Sequence, residues 1–207
     1  MKVAIINYGM GNLGSVRRAF EEIGAEAIIV NHPSSLYEVN RVVLPGVGAF
    51  SEGMAHLSHG GWIDALGDIV TTQEKPLLGI CLGMQMLASV GYEGGQTAGM
   101  GLIPGEVRRL DGIGCKLRIP HVGWNEVRYR KQDILFEGIP DGSDFYFVHS
   151  YAFVPQDIES VIATVPYGIN VASVVKQGNV FGCQFHPEKS SKAGRRLLEN
   201  FMRYTPC

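Results

Sequence analysis

The sequence predicts an α/β protein with a mostly parallel central sheet, flanked by helices, and with an antiparallel extension in its second half. Two observations lead to this prediction. In the first half, short apolar runs typical of fully buried strands alternate with amphipathic helical stretches, which is the pattern of a doubly wound sheet. In the second half, strand-like runs follow one another with glycine and proline between them. No linker, repeat or boundary interrupts the chain, so we expect one domain over residues 1–207.

The first half contains four predicted strands, and each is a short run rich in aliphatic residues. They cover residues 3–6, 27–30, 42–44 and 77–80. Between the first two strands, Leu13, Val16, Phe20 and Ile23 recur at helical spacing, and Gly24 is the expected C-cap.

Two more helical stretches complete the first half. A mixed polar and apolar stretch over roughly 51–72 predicts one helix, and residues 82–90 predict another directly after the fourth strand. The spacing of these helices between strands supports parallel crossover connections.

The second half is predicted to be mainly strands. The strand-like segments are EVRRL, HVGWNEVRYR, DFYFVHSYAF, VIATV, NVASVVKQ and NVFGCQF. Gln177-Gly178 favours a hairpin turn between the last two segments. From Ser191 onward, the apolar positions Leu197, Leu198, Phe201 and Met202 predict a closing amphipathic helix.

The composition argues against several classes of protein. Lys and Arg number 18 and Asp and Glu number 20, so we expect no nucleic-acid partner and no polybasic membrane patch. The apolar run 3–6 is too short for the core of a signal peptide, and no apolar stretch approaches the length of a membrane span. The four cysteines, Cys81, Cys115, Cys183 and Cys207, form no C-x-x-C pair. We therefore expect reduced thiols in a cytoplasmic protein.

Three short patterns look like ligand sites but are poorly supported. Residues 9–14 read G-x-G-x-x-G, yet the second strand ends without the acidic residue of a dinucleotide site. His56 and His59 lack further metal ligands nearby, and Cys183 and His186 would point to opposite faces of an extended strand. We expect no metal and no cofactor.

Cys81 lies between two glycines at the point where a predicted strand meets a predicted helix. The stretch GICLG fits the nucleophile-elbow pattern, in which a tight turn projects a nucleophilic side chain. The N-terminal end of the following helix favours a thiolate, and the N–H of Leu82 can donate to an oxyanion. A buried core cysteine is the alternative interpretation, because free cysteine is among the most buried residue types.

A base and an orienting carboxylate occur together in GCQFHPEKS. Pro187 favours an extended backbone at His186 and a turn that brings Glu188 round. If this stretch occurred without the elbow, the favoured interpretation would be a solvent-exposed strand end. The elbow and the His-Pro-Glu stretch both fall at carboxyl ends of strands, where α/β sheets place active sites. Together they favour a Cys81–His186–Glu188 triad.

These motifs resemble those of the class I, triad-type glutamine amidotransferases. Cys81 in GICLGMQ and His186 and Glu188 in QFHPEKS carry the resemblance, which covers essentially the whole chain. It implies the flavodoxin-like class I glutamine amidotransferase fold and hydrolysis of glutamine through a cysteine thioester.

Four further segments narrow the resemblance. LPGVGAF, HVGWNEV, FYFVHSY and NYGMGNLGS are similar to segments of the glutaminase subunits of imidazole glycerol phosphate synthases. The similarity implies L-glutamine as substrate and a heterodimer with a (β/α)₈-barrel cyclase subunit. That subunit would use the ammonia to make imidazole glycerol phosphate and AICAR in histidine biosynthesis.

The resemblance also implies roles for individual residues. Cys81 would be the nucleophile, His186 the proton carrier and Glu188 its orienting group. The backbone N–H groups of Val47 and Leu82 would form the oxyanion hole. Glutamine-binding positions would be Gly48, Gln85, His149, Ser150 and Tyr151. Positions at the interface with the cyclase would be Asn12, Trp124, Tyr146 and Lys189.

Three alternatives remain open at this point. The chain could be a class I amidotransferase subunit of another pathway, although PGVG, VGWN and FVHSY argue against this. It could be a stand-alone cysteine hydrolase of γ-glutamyl bonds, which would be active without a partner. It could also be a non-catalytic binding module, although a scaffold needs none of Cys81, His186 and Glu188.

Overall fold

The computed structural model describes residues 1–206, and Cys207 lies outside them. The strands are β1 (Lys2–Ile6), β2 (Glu26–Val30), β3 (Arg41–Gly46), β4 (Leu77–Cys81), β5 (Val90–Gly91), β6 (Thr97–Ala98), β7 (Gly105–Arg109), β8 (His121–Glu126), β9 (Arg128–Tyr129), β10 (Asp144–His149), β11 (Tyr151–Pro155), β12 (Val161–Pro166), β13 (Asn170–Gln177) and β14 (Val180–Cys183). The α-helices are α1 (Leu13–Glu22), α2 (Phe50–His59), α3 (Trp62–Thr71), α4 (Leu82–Met86) and α5 (Ser191–Arg203). Short 3₁₀ turns cover Pro33–Glu38, Asp111–Ile113, Ile134–Phe136, Ile158–Ser160 and Pro187–Lys189.

An eight-stranded sheet forms the centre of the molecule, in the order β2-β1-β3-β4-β14-β13-β12-β9. The first five strands are parallel, and the last three are antiparallel to their neighbours. With β14 counted as the fifth strand, the parallel part has the flavodoxin-like order 2-1-3-4-5. The predicted parallel sheet with an antiparallel extension is confirmed.

The sheet is buried on both faces because side chains alternate along each strand. In β1, Val3 and Ile5 pack with apolar residues of α1 and α5 on one face. Ala4 and Ile6 pack with residues of α2 and α3 on the other. This arrangement explains why the parallel strands are continuous apolar runs rather than alternating ones.

The predicted helix over 51–72 is wrong in one respect, because the structure divides it into α2 and α3. The break falls at Gly60 and Gly61. Gly61 has a φ of +69°, and a side chain at Gly60 would come within 2.6 Å of the Trp62 indole. The chain turns here so that α3 begins with the buried Trp62.

The helix after Cys81 is also shorter than the predicted 82–90. Beyond Met86, the N–H groups of Leu87 and Ala88 bond to carbonyls three residues back, which ends the helix in a tight turn. Ser89 then donates to the Gly105 carbonyl at 2.9 Å and joins a second sheet. Local spacing alone does not show this tertiary bond.

Two small sheets lie between β4 and β14 in the sequence. One is the antiparallel ribbon of β8 and β10, and the other has the order β11-β7-β5-β6. The ribbon reaches the carboxyl ends of the central strands, because the His186 N–H donates to the Tyr146 carbonyl at 2.9 Å. The predicted hairpin between β13 and β14 is confirmed, with Gly178 and Asn179 between the paired Gln177 and Val180.

Two further findings concern the cysteines and the helices. Cys81, Cys115 and Cys183 are free and buried. Within residues 1–206, none of the helices has both the length and the apolar character needed to cross a membrane.

Candidate active site

Cys81 is held in a strained turn between β4 and α4. Its φ is +55° and its ψ is −109°, in a region that non-glycine residues rarely adopt. The flanking glycines are required because α4 runs directly over the sheet. A Cβ atom at Gly79 would lie 2.7 Å from the Gly83 backbone, and one at Gly83 would overlap the Leu44 carbonyl. This geometry is that of a nucleophile elbow.

The imidazole of His186 is oriented by Glu188. Nδ1 of His186 lies 2.8 Å from Oε1 of Glu188, and both side chains are almost completely buried. His186 has an extended backbone and Pro187 opens a 3₁₀ turn, which brings the carboxylate back to the ring. Ser190 fixes this turn by donating to the His186 carbonyl at 2.6 Å.

The charge state of His186 is set by its two neighbours. Burial lowers the pKa of His186, but charge interactions with Cys81 and Glu188, together with the hydrogen bond to Glu188, outweigh this and raise it to about 9. Nε2 is buried and makes no hydrogen bond within residues 1–206. Because Glu188 binds Nδ1, Nε2 is the nitrogen left for proton transfer to or from a reacting group.

Within residues 1–206, the Val148 carbonyl and the Gln184 side chain lie at hydrogen-bonding distance from the Cys81 sulfur. Sγ lies 3.9 Å from the Val148 carbonyl, which can accept the thiol proton. The side-chain Nε2 of Gln184 lies 3.7 Å from Sγ on the donor side.

A cavity of about 430 Å³ opens at Cys81, large enough for a small amino acid. Its lining contains Val47, Gly48, Cys81, Leu82, Gln85, Glu93, Pro120, Val148, His149, Ser150, Tyr151 and His186. The structure therefore brings every predicted oxyanion and glutamine-binding position together with Cys81. Glu188 lies behind the cavity, on the far side of His186.

Polar groups at the cavity meet at the carbonyl of Tyr151. Gln85 Nε2 donates to it at 2.9 Å, and His149 Nδ1 lies 2.8 Å from it. Three of the predicted glutamine-binding residues, Gln85, His149 and Tyr151, thus support one another's orientation.

A second histidine, His121, supports His149. Nδ1 of His121 lies 2.9 Å from Nε2 of His149, and Asn125 Nδ2 lies 2.5 Å from Nε2 of His121. In a neutral His149 that donates from Nδ1 to the Tyr151 carbonyl, Nε2 accepts from His121 Nδ1. Burial lowers the pKa of each ring to about 4.

Two polar residues of the site are absent from the sequence prediction. Glu93 lines the cavity while one carboxylate oxygen accepts from the Phe50 N–H at 2.8 Å, and nothing in its glycine-rich segment signals this position. Gln184 has a signal: it precedes His186 by two residues, so on an extended chain both side chains face the same way.

Three of the four predicted interface residues form a cluster, with Trp124 and Tyr146 on the ribbon and Lys189 in the adjacent 3₁₀ turn. The Trp124 and Tyr146 rings lie edge to face with centroids 5.9 Å apart, and Lys189 Nζ lies 5.8 Å from the Tyr146 centroid. Asn12 belongs to a different element, where its side chain caps α1 by accepting from Ser15.

The fold and the site together describe an α/β protein in which Cys81 occupies a nucleophile-elbow turn beside the His186–Glu188 pair and an amino-acid-sized cavity. The chain belongs to the family Glutamine amidotransferase class-I, whose match covers residues 4–204. This confirms the resemblance found in the sequence.

The names of two similar proteins describe a particular enzyme subunit, whereas the family name describes a broad class. A protein of Moorella thermoacetica with the name "Imidazole glycerol phosphate synthase subunit HisH" is 49% identical over 96% of this chain and 93% of its own length. A Campylobacter jejuni protein, "Imidazole glycerol phosphate synthase subunit HisH 1", is 48% identical over 97% of this chain and 99% of its own. A solved structure titled "Crystal structure of glutamine amidotransferase" shares the fold, with a TM-score of 0.77 at 21% identity over 97% of each chain.

Proposed function

We propose that this chain is a single, cytoplasmic glutaminase domain over residues 1–207 that forms the glutaminase subunit of an imidazole glycerol phosphate synthase. It hydrolyses L-glutamine and passes the ammonia to a (β/α)₈-barrel cyclase subunit, which makes imidazole glycerol phosphate and AICAR. The observation that carries the proposal is the buried His186–Glu188 pair beside Cys81 in an amino-acid-sized cavity. The names of relatives at 48–49% identity support the assignment to this synthase.

The first half of the reaction is acylation. The Cys81 thiolate attacks the side-chain amide carbon of glutamine, so a C–S bond forms and the carbonyl electron pair moves to oxygen. Backbone N–H groups of Val47 and Leu82 receive this charge. His186 then gives its Nε2 proton to the amide nitrogen, the C–N bond breaks, and ammonia leaves.

The second half is hydrolysis of the thioester. His186, now neutral, takes a proton from water as the water oxygen attacks the acyl carbon. The C–S bond breaks, glutamate is released, and Cys81 returns as a thiolate beside the protonated ring. Throughout, Glu188 keeps the Nδ1 proton in place and stabilises the imidazolium.

The cavity offers complementary groups for the amino-acid end of glutamine. The Glu93 carboxylate lies in the lining, where it can pair with the α-ammonium group. Ser150 and the backbone around Tyr151 offer donors to the α-carboxylate. We assign Gly48 and Gln85 to the walls that align the side chain with Cys81.

An exposed apolar surface lies next to the mouth of the cavity. Val122, Trp124 and Val148 on the β8–β10 ribbon are 55%, 51% and 38% exposed, and Val47 is 44% exposed. Val47 and Val148 also line the cavity. Apolar patches of this kind mark protein interaction sites. A partner that covers this surface would close the cavity and receive the ammonia released inside it.

Two alternatives are distinguished by one experiment. Glutamate release is measured for the purified chain alone and with a barrel cyclase subunit carrying its ligand. We expect little activity alone and a large increase in the complex, with Cys81→Ser inactive in both. Full activity alone would favour a stand-alone hydrolase, and no response to the cyclase would favour a synthase of another pathway.

A further inference from the structure

Gln184 is a buried polar residue whose side chain contacts the nucleophile. It has no exposed surface, and its backbone N–H donates to the Ser173 carbonyl at 2.9 Å. Its side-chain Nε2 lies 3.7 Å from the Cys81 sulfur, and its Oε1 lies 3.0 Å from Gln85 Nε2. Gln184 therefore bridges Gln85 and Cys81.

The orientation of the Gln184 amide follows from its partners. The Tyr151 carbonyl can only accept, so the Gln85 atom that lies 2.9 Å from it is the amide nitrogen. The same nitrogen faces Gln184, so the Gln184 oxygen must accept from it. The Gln184 N–H group is left pointing at the sulfur.

The neighbours of the Cys81 sulfur differ in whether they can stabilise negative charge on it. The Val148 carbonyl faces Sγ at 3.9 Å and repels a thiolate. The titratable groups that interact with Cys81 are Tyr8, Cys183 and His186. Burial raises the pKa of both Tyr8 and Cys183, so these two stay neutral, and of the three groups His186 is the one that supplies positive charge.

We propose that Gln184 is a further catalytic residue, whose side-chain N–H stabilises the Cys81 thiolate and fixes the position of the sulfur. Gln85 holds this amide in the required orientation. The N–H group acts when the sulfur carries charge, before attack and again when the thioester breaks and the thiolate leaves. The inference rests on the proposed function, since it concerns the same nucleophile.

The test compares Gln184→Met, which removes the donor at similar size, with Gln184→Glu, which replaces the donor with an oxygen. The pH dependence of Cys81 alkylation by iodoacetamide is followed by mass spectrometry of the Cys81 peptide. We expect Gln184→Met to shift this profile to higher pH and to slow alkylation at pH 7 by about 10- to 100-fold, as expected for a lost hydrogen bond to a charged group. Gln184→Glu should have a larger effect.

Ser173→Ala is the matched control. Ser173 is buried on the neighbouring strand, and its hydroxyl makes no hydrogen bond within the described residues. Its alkylation profile should equal that of the parent. A folded Gln184→Met variant with the parent profile would overturn the proposal.

A measurement on the unsubstituted chain covers the case in which the variants do not fold. In ¹⁵N-labelled protein, the Gln184 side-chain amide signals should shift with the same pH midpoint as Cys81 alkylation, and signals that do not move across that range would overturn the proposal. Alkylation and amide shifts report on the thiolate even in a protein that does not hydrolyse glutamine. Failure of this inference is therefore distinguishable from failure of the proposed function.

Discussion

Nδ1 of His186 lies 2.8 Å from Oε1 of Glu188, and the two side chains are 3% and 2% exposed. This contact fixes which ring nitrogen faces Cys81. Together with the Cys81 interaction it raises the pKa of His186 to about 9, against the lowering effect of burial. At neutral pH the ring is therefore protonated and ready to donate to a leaving amide nitrogen.

Glu188→Gln should weaken both activity and the pH dependence of stability. We expect the stimulated glutaminase rate to fall by about 10²–10⁴, because the ring loses its counter-charge and its orientation. The sign of the stability effect follows from a folded pKa above the ordinary 6.5. His186 stabilises the parent fully below pH 6.5, and this contribution is lost as the pH rises through about 9. Between pH 6.5 and 9.5, the free energy of unfolding measured with urea should therefore decrease less in Glu188→Gln than in the parent.

Glu38→Gln, at an exposed carboxylate, is the control for this comparison. Its stimulated glutaminase rate should equal that of the parent, and so should the decrease in its free energy of unfolding between pH 6.5 and 9.5. Equal losses in the parent and Glu188→Gln would contradict the assigned role of the carboxylate.

The His121–His149 pair should make the protein sensitive to acid. The pKa of each ring lies near 4 in the folded state, below the ordinary 6.5, so the unfolded chain takes up protons first as the pH falls. The free energy of unfolding should decrease between pH 6.5 and about 4, by up to about 2.7 kcal/mol per pH unit for two protons. NMR titration of the ring protons tests this directly. Titration of either ring near 6.5 would contradict it.

Alanine at Trp124, Tyr146 or Lys189 should weaken assembly with the cyclase subunit by about tenfold or more, because aromatic anchors dominate interfaces. Asn12→Ala tests the same role on α1. Isothermal titration with the cyclase measures the affinity. Ile158→Ala, at another residue that is 52% exposed, should bind like the parent. If all four variants bind and respond like the parent, the interface lies elsewhere.

Val47→Pro should assemble with the partner, but its stimulated glutaminase rate should fall by about 10²–10³-fold, since proline has no N–H to offer the oxyanion. Our hypothesis is that the Gly46–Val47 peptide presents its carbonyl at rest and turns its N–H inward when the partner binds. Val47→Ala keeps the N–H and should retain full stimulation. A correctly assembled Val47→Pro complex with full activity would show that the partner acts on another group.

The sequence predicts the parts of this molecule that depend on local pattern. Apolar runs and the spacing of Val16 and Phe20 identify the strands and helices of the central sheet, and GICLG identifies the elbow. Contacts between segments that are distant in the sequence cannot be predicted from local pattern. The helix after Cys81 ends early because of a bond to Gly105, and Glu93 reaches the cavity from a glycine-rich loop. The role of Gln184 depends on the direction of an amide that only the assembled network of Gln85 and Tyr151 determines.

The central claim is that Cys81 makes ammonia for a partner enzyme. The most direct measurement is synthesis of imidazole glycerol phosphate by the complex of Cys81→Ser with the cyclase subunit, supplied either with glutamine or with an ammonium salt. Because a serine hydroxyl ionises far less readily than a thiol, we expect the glutamine-dependent rate to fall by at least ~10³-fold. The ammonia-dependent rate should equal that of the parent complex. Near-normal synthesis from glutamine by the folded variant complex would contradict the account.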